Sequence, residues 1–210
     1  MKVVLLSGKM RAGKNTVAQM IQEEMPDKII IQESFAKAVK DGAAEDFLPL
    51  MKYLNSFVEE VLPDLSEKEF SVIKKFISQL MLKPENFYED KTELSRCLLQ
   101  IYGTNIFRNR VDSDYWIYRF LERIENYDCN LLLVTDWRYP NEYTSLEENL
   151  IILENEIEIC KIRINRKASP LSSHPTEIAL DKYSGFDFVI ENDGTLDELR
   201  ETVKQLVKQL

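Results

Sequence analysis

The chain has 210 residues, 44% of them apolar and 30% charged, which suits a soluble globular domain with its own core and room for an inserted subdomain. Lys and Arg number 27 against 36 Asp and Glu, and the net charge of −9 disfavours general binding to nucleic acid or to an anionic membrane. Cys97, Cys129 and Cys160 show no C-x-x-C spacing and His174 is the single histidine, so no Cys/His zinc site is expected and the thiols are read as free and buried.

No apolar run approaches the ~20 residues that span a bilayer. The stretch Met1 to Leu6 is too short for a secretory leader and runs directly into Gly8-Lys9, so a cytoplasmic location is expected. Val3-Val4-Leu5-Leu6, within Lys2 to Ser7, predicts a buried strand. Lys14 to Met25 has helical spacing (Val17, Met20, Ile21, Met25) and stops at Pro26. Ile29-Ile30-Ile31 predicts a second strand.

From Phe35 to Asn126 the pattern is helical. Phe47, Leu50, Leu54, Phe57 and Val61 recur every three or four residues. Ser66 and Glu69 form a capping-box signature ahead of Phe70, Ile73, Ile77 and Leu80. Leu94, Leu98 and Ile101 mark a helix that Gly103 could end. Ser113 could cap another helix, carrying Trp116, Phe120 and Ile124.

Leu131 to Val134 predicts the third strand, ending at Thr135-Asp136. Asn141 to Leu153 reads as helix, although Leu150 to Leu153 alone could be a strand. Ile157 to Ile164 is rich in β-formers, Lys167 to Gly185 is loop-like with a short helix possible after Pro175, and Phe188-Val189-Ile190 is a last strand. Leu196 to Leu210 predicts a terminal helix. Strands alternating with helices predict an α/β fold, three layers with a parallel sheet between helices. The expected organisation is one domain over 1–210, with a core of 1–34, 131–165 and 187–210, a helical insertion at 35–130 and a short lid at 166–186.

Gly8-Lys9-Met10-Arg11-Ala12-Gly13-Lys14 fits G-x-x-x-x-G-K and lies between a strand and a helix, the context that a phosphate-binding loop requires. Glycines let the backbone curl until successive N–H groups face an anion, and the helix N-terminus adds its own free N–H groups and positive dipole end. Lys14 would reach the β- and γ-phosphates. Asn15 stands where a magnesium-binding Ser or Thr is usual, with Thr16 one step further round the helix. An amide oxygen can hold Mg²⁺ directly or through water.

Several stretches together resemble the deoxynucleoside monophosphate kinases of bacteriophages, within the P-loop nucleotide kinases. They are Gly8 to Thr16, Ser34 to Lys40, Leu98 to Thr104 running on to Arg108, Asp114-Tyr115-Trp116, Thr135 to Glu142, Ile164-Asn165-Arg166, His174 to Glu177, and Phe188 to Thr195. They stand in family order across nearly the whole chain; 44–81 carries no family signature. Phosphomevalonate kinases look similar in the phosphate loop and near Phe186 to Gly194. The resemblance implies a P-loop NTPase fold whose helical insertion binds the acceptor. It also implies ATP, Mg²⁺ and a deoxynucleoside monophosphate as acceptor.

Candidate roles follow. Asp136, at a strand end, could hold magnesium-bound water or polarise the acceptor, or be a turn residue. Lys37 and Lys40 share a helix face and could meet the acceptor phosphate. Phe35 and Trp116 could stack on a base or fill the core. Gln100 has amide groups suited to a base edge. The resemblance implies acceptor-side roles for Arg108, Arg138 and Glu142, and sets Asn192 and Gly194 beside the adenine, where an ordinary turn capped by Thr195 is the other reading. Arg166 could swing onto the phosphates as an arginine finger. Nucleotide contacts are expected along Gly8, Lys9, Met10, Arg11, Ala12, Gly13, Lys14, Asn15 and Thr16, with Lys14, Asp136 and Arg166 catalytic and Asn15 and Asp136 at the metal. A metabolite kinase of the phosphomevalonate type and a nucleotide-sensing protein without turnover are the alternatives. An exposed face of the inserted helices could pair two copies as a homodimer.

Overall fold

The computed structural model describes residues 1–50, 66–82, 96, 99–152, 157–169 and 174–210, with backbone only at 47–50, 76–82 and 150–152. Leu54, Phe57, Val61, Leu94, Cys97, Leu98 and Leu153, and positions 170–173 of the expected lid, lie outside the described residues. The chain forms two compact units, Met1–Phe35 with Phe120–Leu210, and Ala36–Arg119. Phe120 to Asn130, assigned to the insertion from sequence, thus groups with the first unit.

The first unit is built on a five-stranded parallel sheet, spatial order β2-β3-β1-β4-β5. Its strands are β1 (Lys2–Ser7), β2 (Ile30–Glu33), β3 (Leu131–Val134), β4 (Glu158–Asn165) and β5 (Phe188–Glu191). β1 is central, with Val4 level with Leu133 on one side and Cys160 on the other. Successive side chains point to opposite faces, so one face presents Val4, Leu6, Leu131, Leu133, Ile162 and Ile164. On it pack Val17, Ala18 and Ile21 of α1 (Lys14–Glu24), together with Leu199, Val203 and Leu206 from the C-terminal helix Leu196–Val207. β1 and β3 read as unbroken apolar runs because both their faces are buried.

Within Ala36–Arg119, the greater part of α2 (Phe35–Leu50), α3 (Glu67–Leu82) and a π-helix at Ile101–Val111 gather Ala38, Ala43, Ile73, Tyr102, Ile106 and Trp116 into a separate core. The capping box at α3 is present: Glu69 accepts from the Ser66 N–H at 2.9 Å, and Ser66 Oγ accepts from the Glu69 N–H at 3.3 Å. Gly103 does not end a helix. It lies inside the π-helix, where a Cβ would meet Val39 Cγ1 at 2.8 Å, so this glycine serves close packing. α4 (Tyr115–Ile124) starts one residue later than expected: the Asp114 carbonyl accepts from Ile117 and Tyr118, while the Ser113 hydroxyl donates to the Asp114 carboxylate.

The ambiguous stretch after Asn141 is helical, as α5 (Pro140–Ile152). Its start is fixed by Glu142, whose carboxylate accepts from the N–H groups of Arg138 (2.7 Å) and Tyr139 (3.0 Å). α6 is one turn (Pro175–Ile178), and α7 is the C-terminal helix Leu196–Val207, opened by a Thr195–Glu198 capping box. Among the described residues no helix is long and apolar enough to cross a membrane.

Candidate active site at the C-terminal edge of the sheet

Because all five strands are parallel, their C-terminal ends share one edge, the edge where such sheets hold ligands. Ser7, Asp136, Arg166 and Asn192 each stand at or just past a strand end there. Between β1 and α1 the loop Gly8–Gly13 turns sharply. Gly13 has φ 104°, and a Cβ on it would collide with the Asn192 side-chain nitrogen. At Gly8 a Cβ would lie 2.5 Å from the Ile164 carbonyl oxygen. Arg11 is left-handed too, at φ 63°, an uncommon conformation for a residue with a side chain.

Lys14 folds back over this loop. Its Nζ donates to the carbonyls of Gly8 (2.6 Å) and Lys9 (2.9 Å). Burial, with help from the nearby Arg138 cation, pulls its pKa from 10.5 down to about 8, against the opposing pull of Glu177 and Asp136. Asp136 is buried, and its Oδ1 accepts from the Phe35 N–H at 2.8 Å, tying the end of β3 to the start of α2.

Arg138 donates to the Thr176 carbonyl (3.2 Å) and pairs with the Glu177 carboxylate. Burial works against its charge, but Glu177, Asp136 and Glu142 outweigh that and raise its pKa. The other oxygen of Glu177 accepts from the Met10 N–H of the Gly8–Gly13 loop at 2.7 Å. Burial opposes ionisation of Glu177, yet Arg138 and the Met10 N–H hold its pKa below the usual range. His174 caps α6, its Nδ1 accepting from the Thr176 N–H. Burial and Arg138 depress its pKa.

The structure thus brings together the loop Gly8–Thr16, Lys14, Asp136 and Arg138 of the predicted residues. Arg166 is exposed and lines a cavity of about 280 Å³ with Lys9, Arg163, Asn165, Lys167 and Glu191. Phe35 is 4% exposed and packs on Phe120, ring centroids 4.5 Å apart. Glu142 is spent on capping α5. Asn192 donates to the Ala12 carbonyl at 2.8 Å, bracing the Gly8–Gly13 loop, and Gly194 precedes the Thr195 cap and adjoins the Glu198 carboxylate.

In the second unit Trp116 is core, its indole N–H donating to the Gly103 carbonyl at 2.9 Å. Lys37 and Gln100 are exposed, Lys40 and Arg108 half-buried. Sequence reading missed Glu177 as a partner of the loop, and Asp181, which pairs with both Lys9 (3.2 Å) and Arg163 (2.8 Å). Glu177 stands 167 residues from Met10, a separation that no local pattern reports.

Among the described residues no three His, Cys, Asp or Glu side chains converge as a metal cluster. Magnesium at phosphoryl-transfer sites needs only one or two side chains, since substrate phosphates and water complete its shell. Asn15, exposed at the second position of α1, and Asp136, close enough to act on Lys14, fit that requirement.

A family model for deoxynucleotide monophosphate kinase matches residues 43–203. The chain belongs to the deoxynucleotide monophosphate kinase family. Relatives of that family align along almost the whole length. The deoxynucleoside-5'-monophosphate kinase of Escherichia phage T5 is 24% identical over 226 residues, covering 91% of this chain and 90% of the relative. The deoxynucleotide monophosphate kinase of Enterobacteria phage T4 is 25% identical over 261 residues, covering 100% of both. The family match begins at residue 43, after the Gly8–Gly13 loop.

Proposed function

We propose that the chain transfers the terminal phosphoryl group of ATP to a deoxynucleoside monophosphate, giving ADP and the deoxynucleoside diphosphate. A phosphate oxygen of the acceptor attacks the γ-phosphorus, and the bond to the ADP oxygen breaks. The observation that carries this reading is the Lys14 ammonium folded over a phosphate loop, with Arg138 beside it, in a member of this kinase family.

Phosphoryl transfer is mostly positioning and charge neutralisation. Loop N–H groups from Gly8 to Thr16 cradle the donor phosphates, and Lys14 follows charge as it moves to the leaving oxygen. Arg138 neutralises the acceptor phosphate, and Arg166 reaches the transferred group. Asn15 and Asp136 would hold Mg²⁺, which would supply charge neutralisation across the donor phosphates. Lys37, Lys40, Gln100 and Trp116 by their own chemistry, and Arg108 by resemblance to the family, are the acceptor-side candidates within Ala36–Arg119, and Phe35 and Glu142 those of the first unit. The packing of Trp116 and Phe35 and the capping by Glu142 favour support over contact for these three. Membership of a deoxynucleotide kinase family favours this acceptor over a phosphomevalonate-type metabolite, and favours turnover over nucleotide sensing.

The test is a coupled assay of ADP formation with Mg-ATP and each of dAMP, dGMP, dCMP, dTMP and AMP. Turnover with at least one deoxynucleotide, lost in Lys14→Ala, is the expected result. ATP binding without acceptor-dependent ADP release would overturn the proposal.

A further inference from the structure

The Met10 N–H belongs to the phosphate loop, and it donates to the Glu177 carboxylate at 2.7 Å. That carboxylate sits among cations: it pairs with Arg138 and acts on Lys14. A carboxylate oxygen and a phosphate oxygen ask for the same thing, an inward-facing N–H and nearby positive charge. One N–H cannot serve both fully, and two anions side by side repel. We propose that Glu177 is an internal competitor for the phosphate loop: a polyphosphate that takes the Met10 N–H displaces the Glu177 carboxylate, and Glu177 thereby sets nucleotide affinity. This rests on the reading of Gly8 to Thr16 as a phosphate site.

Several features of the contact support competition over simple bracing. The loop already has a brace, the Asn192 amide on the Ala12 carbonyl. Lys14 closes the same loop through the Gly8 and Lys9 carbonyls. Glu177 instead takes an N–H, the kind of group that a phosphate would use. Its carrier, α6, is a single turn opened by His174, so few backbone hydrogen bonds oppose its movement. Arg138, pairing with the Glu177 carboxylate, is the cation that the acceptor phosphate would recruit; displacing Glu177 releases it for that use.

The probe is inorganic tripolyphosphate, which carries the anion without base or ribose, titrated by calorimetry into the wild type and Glu177→Gln. The amide keeps the shape and loses the charge. A hydrogen bond to a charged group exceeds a neutral one by about 1 kcal/mol, so Glu177→Gln is expected to bind about fivefold tighter. Glu177→Asp keeps the charge but is one methylene too short to span Met10 and Arg138. It too is expected to bind tighter, and serves if the glutamine variant does not fold. Equal affinity in wild type and variant overturns the competition, and so does weaker binding in the variant, which would make Glu177 a support of the loop. Absence of tripolyphosphate binding in the wild type, matched by Lys14→Ala, overturns the phosphate-loop reading and the competition together.

Discussion

The side-chain amide of Asn192 donates to the carbonyl of Ala12 at 2.8 Å, joining two residues 180 positions apart in the chain. Both are buried. The contact links the end of β5 to the Gly8–Gly13 loop after β1, across the intervening β4, and the Asn192 N–H is itself anchored on the Asn165 carbonyl at 2.8 Å. The loop therefore takes its shape from the far strand of the sheet as well as from its own glycines.

Asn192→Ala removes the donor and leaves a buried carbonyl unpaired, which costs about 1–3 kcal/mol. A lower midpoint in thermal unfolding is expected, together with a raised KM for ATP and a largely retained kcat. An unchanged melting temperature would show that the bond carries no stability.

Gly13→Ala places a methyl group against the Asn192 side chain at a backbone angle of φ 104°. Strain of this kind costs about 1–3 kcal/mol. The two changes share one contact, so the double variant Gly13→Ala/Asn192→Ala should lose less stability than the sum of the singles. Urea unfolding of the four proteins measures the difference; strict additivity would mean that the strain is purely in the backbone.

Lys14 has its pKa pulled down to about 8 by burial and by Arg138. Below that pH its ammonium is intact; above it the charge is lost. The kcat/KM for ATP, which reports the free enzyme, should therefore fall as pH rises through about 8. Lys14→Ala should lose on the order of 10²- to 10³-fold in kcat and lack this limb. Stability runs the other way. The unfolded chain keeps the proton up to the ordinary value of 10.5, so between about 8 and 10.5 the unfolded state binds more protons. The Lys14 contribution to stability then grows with rising pH across that window, because the cost of burying the cation is relieved. A pH series of kcat/KM and of unfolding midpoints checks both signs.

Arg138 meets both the Thr176 carbonyl and the Glu177 carboxylate through one nitrogen, Nη1, of a planar guanidinium whose fork can take a phosphate in two parallel bonds, which a lysine ammonium cannot. Arg138→Lys should raise the KM for the deoxynucleoside monophosphate by about 10- to 100-fold while leaving that for ATP within a few-fold. An equal rise for both substrates would place Arg138 on the donor side.

Thr195 caps α7, its hydroxyl oxygen accepting from the Glu198 N–H at 3.3 Å while Glu198 accepts from the Thr195 N–H at 2.7 Å. Thr195→Ala should cost about 1 kcal/mol of stability with no change in the KM for ATP. A raised KM would put this turn against the nucleotide after all.

Sequence by itself determined the elements whose cause is local. Alternation between buried apolar runs and helical spacing predicted all five strands, β1 to β5, within a residue or two. The Ser66–Glu69 box and the sharp glycine-bearing turn into α1 were legible because their geometry is closed within a few consecutive residues. Local signals failed where a neighbour from elsewhere overrode them. Gly103 looks like a helix end but lies within a π-helix, where Val39 leaves no room for a side chain. Tertiary structure alone decided which side chains meet at the loop. Glu177 reaches Met10, Asn192 reaches Ala12, and Asp181 bridges Lys9 and Arg163, because a parallel sheet returns every strand to the same edge and so gathers residues that sequence holds far apart.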